Sequence, residues 1–190
     1  MLPLLSIQNL SIGFRQENKL TPAVHNISFF VNRGETVAIV GESGSGKSVT
    51  SLTILQLLPA PPAAYTSGNI MFSEQGEAGV DLLRLSEKEM RAVRGNKIAM
   101  IFQEPMTSLN PLYTCGNQVM EAIMLHQAVS ATDAKQKTIE LFEKVQLPEP
   151  AAMFSRYPHE ISGGQKQRVM IAMAMSCEPL LLIADEPTTA

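Results

Sequence analysis

The sequence has few cysteines, no excess of basic residues and no long apolar run. Two cysteines among 190 residues are too few for a disulfide framework, and no charged segment followed by an apolar one stands at Met1 to suggest export. A formal net charge of -3 gives none of the basic surface with which nucleic-acid-binding proteins neutralise phosphates. We therefore expect a cytoplasmic protein without a nucleic-acid partner.

The longest apolar stretch, residues 169–184, is interrupted by Ser176, Glu178 and Pro179, so neither half reaches the roughly 20 residues of a membrane span. What is present is an ordinary globular composition, 45% hydrophobic and 17% charged, without an internal repeat or a low-complexity tract. One compact core is the expectation for a chain of this length.

The pattern of apolar residues predicts an α/β fold. Alternating runs at 5–14, with one slip near Asn9, and at 27–31 predict an antiparallel pair of strands. The unbroken apolar run at 36–40 is typical of a parallel strand covered on both faces, and it starts the predicted parallel sheet. Further strands are predicted at 97–102 and, as a second buried strand, at 180–184. Helices are predicted at 47–58, from a capping box at Ser86 and Glu89 to about residue 95, through 110–161 with a cap region at 130–133, and at 163–175.

A glycine-rich motif lies between the strand predicted at 36–40 and the helix that follows it. It reads Gly41, Glu42, Ser43, Gly44, Ser45, Gly46, Lys47, Ser48, and fits G-x-x-x-x-G-K-[ST]. Glycines let the backbone N–H groups turn inward toward phosphate oxygens, and the helix adds the positive end of its dipole. Lys47 is predicted to neutralise the β- and γ-phosphates of ATP, and the Ser48 hydroxyl to ligate Mg²⁺.

Two carboxylates, Asp185 and Glu186, follow the apolar run at 180–184. The carboxyl ends of strands are where open α/β sheets place their ligands. Asp185 is predicted to reach the same Mg²⁺ as Ser48. Glu186 is predicted to accept a proton from the water that attacks the γ-phosphate, or to orient that water.

A second phosphate cradle decides the class of protein. Ile161, Ser162, Gly163, Gly164 and Gln165 resemble the signature motif of ATP-binding cassette (ABC) proteins. The resemblance implies that Ser162 to Gln165 face the γ-phosphate held by a partner subunit, so that two cassettes form a head-to-tail dimer around ATP. It also implies a P-loop core with a mostly parallel sheet, an N-terminal antiparallel β-subdomain and an inserted helical subdomain.

Two further residues gain roles from this resemblance. Gln103 matches the family's Q-loop glutamine, which contacts the metal or the attacking water and couples the site to the membrane partner. Phe14 stands where the family places an aromatic ring that stacks on adenine. Simple core packing at the end of a strand remains the alternative for Phe14.

The segments at 94–111 and 157–160 resemble the oligopeptide/dipeptide branch of importers, including subunits for microcin or other peptides and for glutathione. This implies permease subunits in the membrane, a periplasmic solute-binding protein acting indirectly, and a location at the cytoplasmic face of the inner membrane. The solute itself is not specified by the sequence.

We expect the chain to be a truncated cassette, with 1–109 as β-subdomain and P-loop core, 110–162 as helical subdomain and 163–190 as signature helix and acidic strand. Because the family's D-loop and switch histidine do not follow Ala190, weak or absent hydrolysis is expected. Two alternatives stay open: a soluble cassette ATPase without a permease, acting in DNA repair or translation, and a nucleotide-binding fragment that does not hydrolyse.

Overall fold

The computed structural model describes residues 2–17, 19–76, 78–103 and 108–186. The chain divides into two compact units, Met1–Arg91 and Ala92–Ala190. The finer division at residues 109 and 162 stays a prediction.

The first unit is built on a four-stranded antiparallel sheet. Its strands are β1 (Leu5–Gln16), β2 (Lys19–Val31), β3 (Ala63–Phe72) and β4 (Val80–Asp81), in the order β2-β1-β3-β4. The pairing of β1 with β2 confirms the predicted antiparallel pair. The buried side chains of the central strands form the core of this sheet: Leu5, Ile7, Leu10, Ile12, Ile70 and Phe72.

The predicted slip near Asn9 is a β-bulge. The register between β1 and β2 shifts after Ile7, and Asn9 has a left-handed φ of 49°. Its N–H donates to Ser28 Oγ at 2.8 Å, so a side chain replaces the lost ladder bond. Asparagine adopts this conformation more readily than most residues, and the extra residue keeps Ile7 and Leu10 on the buried face.

The prediction of a strand at 36–40 is wrong. These residues have no regular secondary structure, and Val37, Ile39 and Val40 are 40%, 47% and 92% exposed. An extended segment becomes a strand only when a neighbour takes up its N–H and C=O groups. Among the described residues of this unit, no strand pairs with the segment.

Helix α1 (Lys47–Ile54) follows the glycine-rich motif and is shorter than predicted. It ends before the prolines because Gln56, just after its C-cap, has a left-handed φ of 49°. The three-residue spacing of Val49, Leu52, Leu55 and Leu58 predicts one apolar face, of which only Leu55, the C-cap residue, is buried. Within the helix the buried residues are Thr50, Thr53 and Ile54. The two threonine hydroxyls donate to carbonyls four residues earlier, at 2.9 and 2.7 Å, which offsets the cost of burying them.

Strand β4 is followed by a short 3-10 turn (Leu82–Arg84) and by helix α2 (Glu87–Val93), which crosses the boundary between the units. The predicted capping box is present, because the Glu89 N–H donates to Ser86 Oγ at 3.4 Å and the Ser86 N–H donates back to Glu89 Oε2. The Ser86 N–H and hydroxyl both donate to this carboxylate oxygen, at 2.7 and 2.6 Å. These hydrogen bonds lower the pKa of the exposed Glu89 carboxyl.

The second unit combines two parallel strands with a group of helices. Strands β5 (Ile98–Ile101) and β6 (Leu181–Ala184) pair in register, Ile101 opposite Ala184. The helices are α3 (Cys115–His126), α4 (Ala131–Lys144), α5 (Pro150–Met153) and α6 (Gly163–Met175), with a 3-10 turn at Pro158–Glu160. The predicted cap of α4 is confirmed, since Ser130 Oγ accepts the Asp133 N–H at 3.1 Å.

Helix α6 connects the two parts of this unit. Its Val169 and Ala172 are buried in a cluster with residues of α3, α4 and α5, among them Val119, Ile123 and Phe142. Further along, Ala174 packs against Ala99 and Ile101 of β5. The helix therefore bridges the helical cluster and the parallel strands. None of the described helices is long and apolar enough to cross a membrane.

Candidate nucleotide-binding site

The glycine-rich motif forms an exposed loop that runs into α1. Gly44 and Gly46 have left-handed φ values of 80° and 92°, and the Ser45 N–H closes a turn on the Glu42 carbonyl at 3.2 Å. Gly46 is the N-cap residue of α1 and gives the helix no side-chain cap. The N–H groups at this helix start are therefore placed to meet an anion.

Gly46 also lies against the neighbouring strand. A Cβ atom at this position would be 2.9 Å from the carbonyl oxygen of Ala23 and from Val24 Cγ2, both on β2. The left-handed backbone and this close approach both require glycine here. The sequence motif predicted the first requirement, whereas no sequence signal pointed to the contact with β2.

Lys47 turns its ammonium group back over the loop. Its Nζ donates to the carbonyl oxygens of Gly41 and Glu42, both at 2.9 Å. The positive charge thus stands inside the curve of the loop, where an incoming phosphate would meet it. Ser48 follows in the first turn of α1 and is half-buried.

A cavity of ≈ 460 Å³ opens beside this loop within the first unit. Apolar side chains of β2, including Val24, Ile27 and Phe29, line it together with Gly46 and Lys47 of the loop. Its volume lies within the range of small-molecule sites. Phe14, half-buried where β1 faces Thr21 and Ala63, is not part of the lining, so its contact with adenine stays a prediction.

The acidic pair lies at the carboxyl edge of the parallel strands in the second unit. Asp185 is 9% exposed, and its N–H extends the ladder to the Ile101 carbonyl at 3.0 Å. Gln103 leaves the neighbouring strand at the same edge. Because parallel strands end together, residues 83 positions apart in the chain are brought side by side here.

Glu186 is held by Gln103. The Gln103 side chain donates through Nε2 to Glu186 Oε2 at 2.7 Å, and Glu186 has a left-handed φ of 47°. A non-glycine residue in this region costs on the order of 1–3 kcal/mol, and such residues concentrate at functional sites. The exposed carboxylate is therefore both backbone-constrained and oriented by an amide.

The signature residues form a self-contained helix start. Ser162 is the N-cap of α6 and makes a capping box: its Oγ accepts the Gln165 N–H at 3.3 Å, and its N–H donates to Gln165 Oε1 at 2.9 Å. The serine hydroxyl still carries a proton that it can donate. Ser162 and Gly164 are exposed, and a Cβ atom on Gly164 would meet nothing within 4 Å, so this turn is open to a ligand.

The predicted magnesium ligands are divided between the units, with Ser48 in the first and Gln103 and Asp185 in the second. They fit the metal chemically, because a hydroxyl, a carboxylate and an amide oxygen are the hard donors that Mg²⁺ prefers. Gln103 bonds to Glu186 through its nitrogen, and its amide oxygen is the atom that would serve this role. Within the described ranges, no three histidine, cysteine or acidic side chains cluster as a preformed metal site.

His159 lies near the signature motif but shows no sign of a catalytic role. Its ring stacks on Tyr157, with centroids 5.6 Å apart, in the turn that precedes Ser162. This stacking is a structural role.

Comparison with known proteins assigns the family. The profile of the ABC transporter family matches residues 24–189, nearly the whole chain. This chain belongs to the ABC transporter family. Its cassette fold is seen in the ATP-binding cassette MJ0796, solved as a dimer in a post-hydrolysis state bound to ADP and Pi. The TM-score is 0.83 at 28% identity, over 98% of this chain and 75% of that one. The predicted fold class is thereby confirmed.

Curated relatives of this cassette are named as ATP-binding proteins of transport and import systems. It is 56% identical over 188 residues to the peptidoglycan transport ATP-binding protein YejF of Agrobacterium fabrum, covering 99% of this chain and 34% of that protein. It is 49% identical over 193 residues to the glutathione import ATP-binding protein GsiA of Pectobacterium atrosepticum, covering 100% and 31%. The chain thus spans about a third of the length of these relatives.

Proposed function

We propose that the chain binds ATP with Mg²⁺ on the loop at residues 41–48 and hydrolyses it to energise the import of peptides or related small solutes. The observation that carries this proposal is the Lys47 ammonium, held at 2.9 Å from two loop carbonyls beside an uncapped helix start. A loop that concentrates N–H donors and one cation suits a polyphosphate.

Each residue has a defined part in the proposed reaction. Lys47 neutralises the β- and γ-phosphates, and Ser48 and Asp185 hold the metal, which supplies charge neutralisation at the phosphates when bound. Glu186 accepts a proton from the attacking water or orients it, and the Gln103 amide fixes the direction of that carboxylate. Gly41, Ser43, Gly44, Ser45 and Gly46 supply the backbone of the phosphate cradle.

The signature turn, residues 162–165, is proposed to contact the nucleotide bound by a second copy of the chain. Ser162, Gly163, Gly164 and Gln165 face the γ-phosphate bound by the other cassette in a head-to-tail dimer. The open Ser162 and Gly164 support this role, and MJ0796 was solved as a dimer. Each nucleotide would then contact both protomers.

The names of the transport and import relatives support membrane partners. We propose that permease subunits bind this cassette at the cytoplasmic face of the inner membrane and that a periplasmic solute-binding protein delivers the solute indirectly. The names of the YejF and GsiA relatives, for peptidoglycan transport and glutathione import, support a peptide-like solute. Recovery of this protein together with membrane proteins would distinguish this function from that of a soluble cassette ATPase.

The first experiment is calorimetric titration of MgATP into the chain and its Lys47→Ala variant. We expect micromolar to millimolar binding, weakened at least tenfold in the variant, because a charge-assisted hydrogen bond contributes about 1.5–3 kcal/mol. Lys88→Ala removes the same charge from α2 and serves as the control. An equal loss of ATP affinity in both variants, or an affinity unchanged by Lys47→Ala, would contradict the proposal that this loop binds the phosphates.

A second experiment tests hydrolysis separately. Glu186→Gln should lower phosphate release from MgATP by about 10²- to 10⁴-fold while leaving ATP affinity within threefold, since general bases contribute on that order. Glu121→Gln, an exposed carboxylate of α3, is the control. Binding without phosphate release in the unchanged chain would favour the non-hydrolysing alternative.

A further inference from the structure

Arg168 joins the signature helix to the end of another helix. It lies in the second turn of α6, and its Nη1 donates to the backbone carbonyls of Val145 and Gln146, at 3.1 and 2.6 Å. Both acceptors follow directly after α4. One nitrogen of the guanidinium therefore connects two elements of the second unit.

The end of α4 has a geometry that makes these two carbonyls available. Gln146 has a left-handed φ of 58°, its N–H bonds to the Glu143 carbonyl at 2.8 Å, and the Leu147 N–H bonds to the Phe142 carbonyl at 2.9 Å. This is a Schellman motif, in which the last carbonyls of the helix are taken up by the turn itself. The carbonyls of Val145 and Gln146 lie within this turn, at the negative end of the helix dipole, where a guanidinium is favoured.

Packing holds the middle of α6 but not its first turn. Val169, Met170 and Ala172 are buried in the helical cluster, whereas Ser162 and Gly164 are exposed and Gly164 has no neighbours around its Cβ position. Ile161, buried just before the N-cap, anchors the chain that enters the helix. Arg168 lies between Ile161 and the buried middle of the helix, and its hydrogen bonds go to the end of α4. Because hydrogen bonds are directional, they oppose rotation and sliding of the helix start.

We propose that Arg168 is a positioning residue for the signature turn at residues 162–165. The bond to the end of α4 sets the direction in which the Ser162 hydroxyl and the first N–H groups of α6 face. The inference deepens the proposed function, since it rests on that turn binding a γ-phosphate. Arg168 itself does not contact the nucleotide.

Amide hydrogen exchange, resolved by residue, tests the proposal on the chain without nucleotide. Arg168→Met should speed exchange at the Gln165 and Lys166 amides at least fivefold, since these belong to the turn that the bond steadies. Arg168→Lys should keep both rates within twofold of the unchanged chain. A lysine can replace arginine here because both hydrogen bonds come from one nitrogen rather than from a two-nitrogen fork.

Lys144→Met is the matched control, because it removes one positive charge from the last turn of α4 without touching α6. It should leave the Gln165 and Lys166 rates unchanged. An equal increase in this control would overturn the proposal by showing a general effect of charge at the helix end. Unchanged rates in folded Arg168→Met would overturn it as well.

Arg168→Gln provides a second variant in case Arg168→Met does not fold, with the same fivefold expectation and the same contradicting result. Because no nucleotide is present, this test is independent of the calorimetry on Lys47→Ala. Lost ATP binding there would refute the phosphate site, whereas an unchanged exchange rate here would refute only the positioning role.

Discussion

The chain contains two glycine-rich helix starts that are built in opposite ways. At α1 the N-cap is Gly46, with a left-handed φ of 92° and no side-chain cap, and the nearby cation bonds back to loop carbonyls. At α6 the N-cap is Ser162, in an extended conformation with a φ of -70°, and a complete capping box with Gln165 closes the turn.

The difference shows which helix start depends on a ligand. The start of α1 leaves its N–H donors for an anion, and its backbone geometry is available only to glycine. At the start of α6 the capping box takes up part of the free backbone N–H donors, so the turn needs no ligand to hold its shape. We infer that the first site gains order from nucleotide, whereas the second is preformed and is presented to a nucleotide held elsewhere.

The largest expected effect on stability comes from Gly46→Ala. A Cβ atom there would be strained by the left-handed φ and would press on Ala23 and Val24 at 2.9 Å. We expect a loss of about 2–4 kcal/mol in the free energy of unfolding, measured by urea titration followed by far-UV circular dichroism. A variant as stable as the unchanged chain would show that the loop can move away from β2.

A smaller effect is expected from Ser162→Ala. Removing the N-cap hydroxyl should cost about 1 kcal/mol of stability, in the same urea titration. Ser130→Ala, which removes the cap of α4 in the same unit, should cost a similar amount. If Ser162→Ala cost nothing while Ser130→Ala cost 1 kcal/mol, the signature turn would not be self-capped as the structure indicates.

The smallest effect is expected from Gly164→Ala, the counterpart of Gly46→Ala. Gly164 is helical, and a Cβ atom there would meet no atom within 4 Å. Alanine is the better helix former, so stability should rise by up to about 0.5–1 kcal/mol. Destabilisation comparable to that of Gly46→Ala would remove the contrast between the two helix starts.

Local patterns predicted most of the elements of this fold. The predicted capping box at Ser86 and Glu89 is made by residues three positions apart, so its partners can be read directly from the sequence. The slip at Asn9 likewise corresponds to a bulge. These features succeed because every interacting group lies within a few residues of its partner.

The failures involve partners that lie far away in the chain. The apolar run at 36–40 predicted a covered strand, yet Val40 is 92% exposed, because apolar character does not specify which strand will pair with it. On α1 the three-residue spacing of Val49, Leu52, Leu55 and Leu58 predicted one buried face, but of these only Leu55 is buried. The helix also buries Thr50 and Thr53, whose hydroxyls bond to carbonyls of their own helix.

The sequence by itself determined the chemistry of this protein: a lysine in a glycine-rich loop, two carboxylates after an apolar run, and a serine and two glycines at a helix start. These motifs are contiguous, so their residue types and spacing suffice to identify the family. Only the tertiary structure decided that Gln103 bonds to Glu186, that β2 confines Gly46, and that Arg168 ties the signature helix to α4. The reason is physical, since each of these contacts depends on how strands and helices distant in the chain pair and pack.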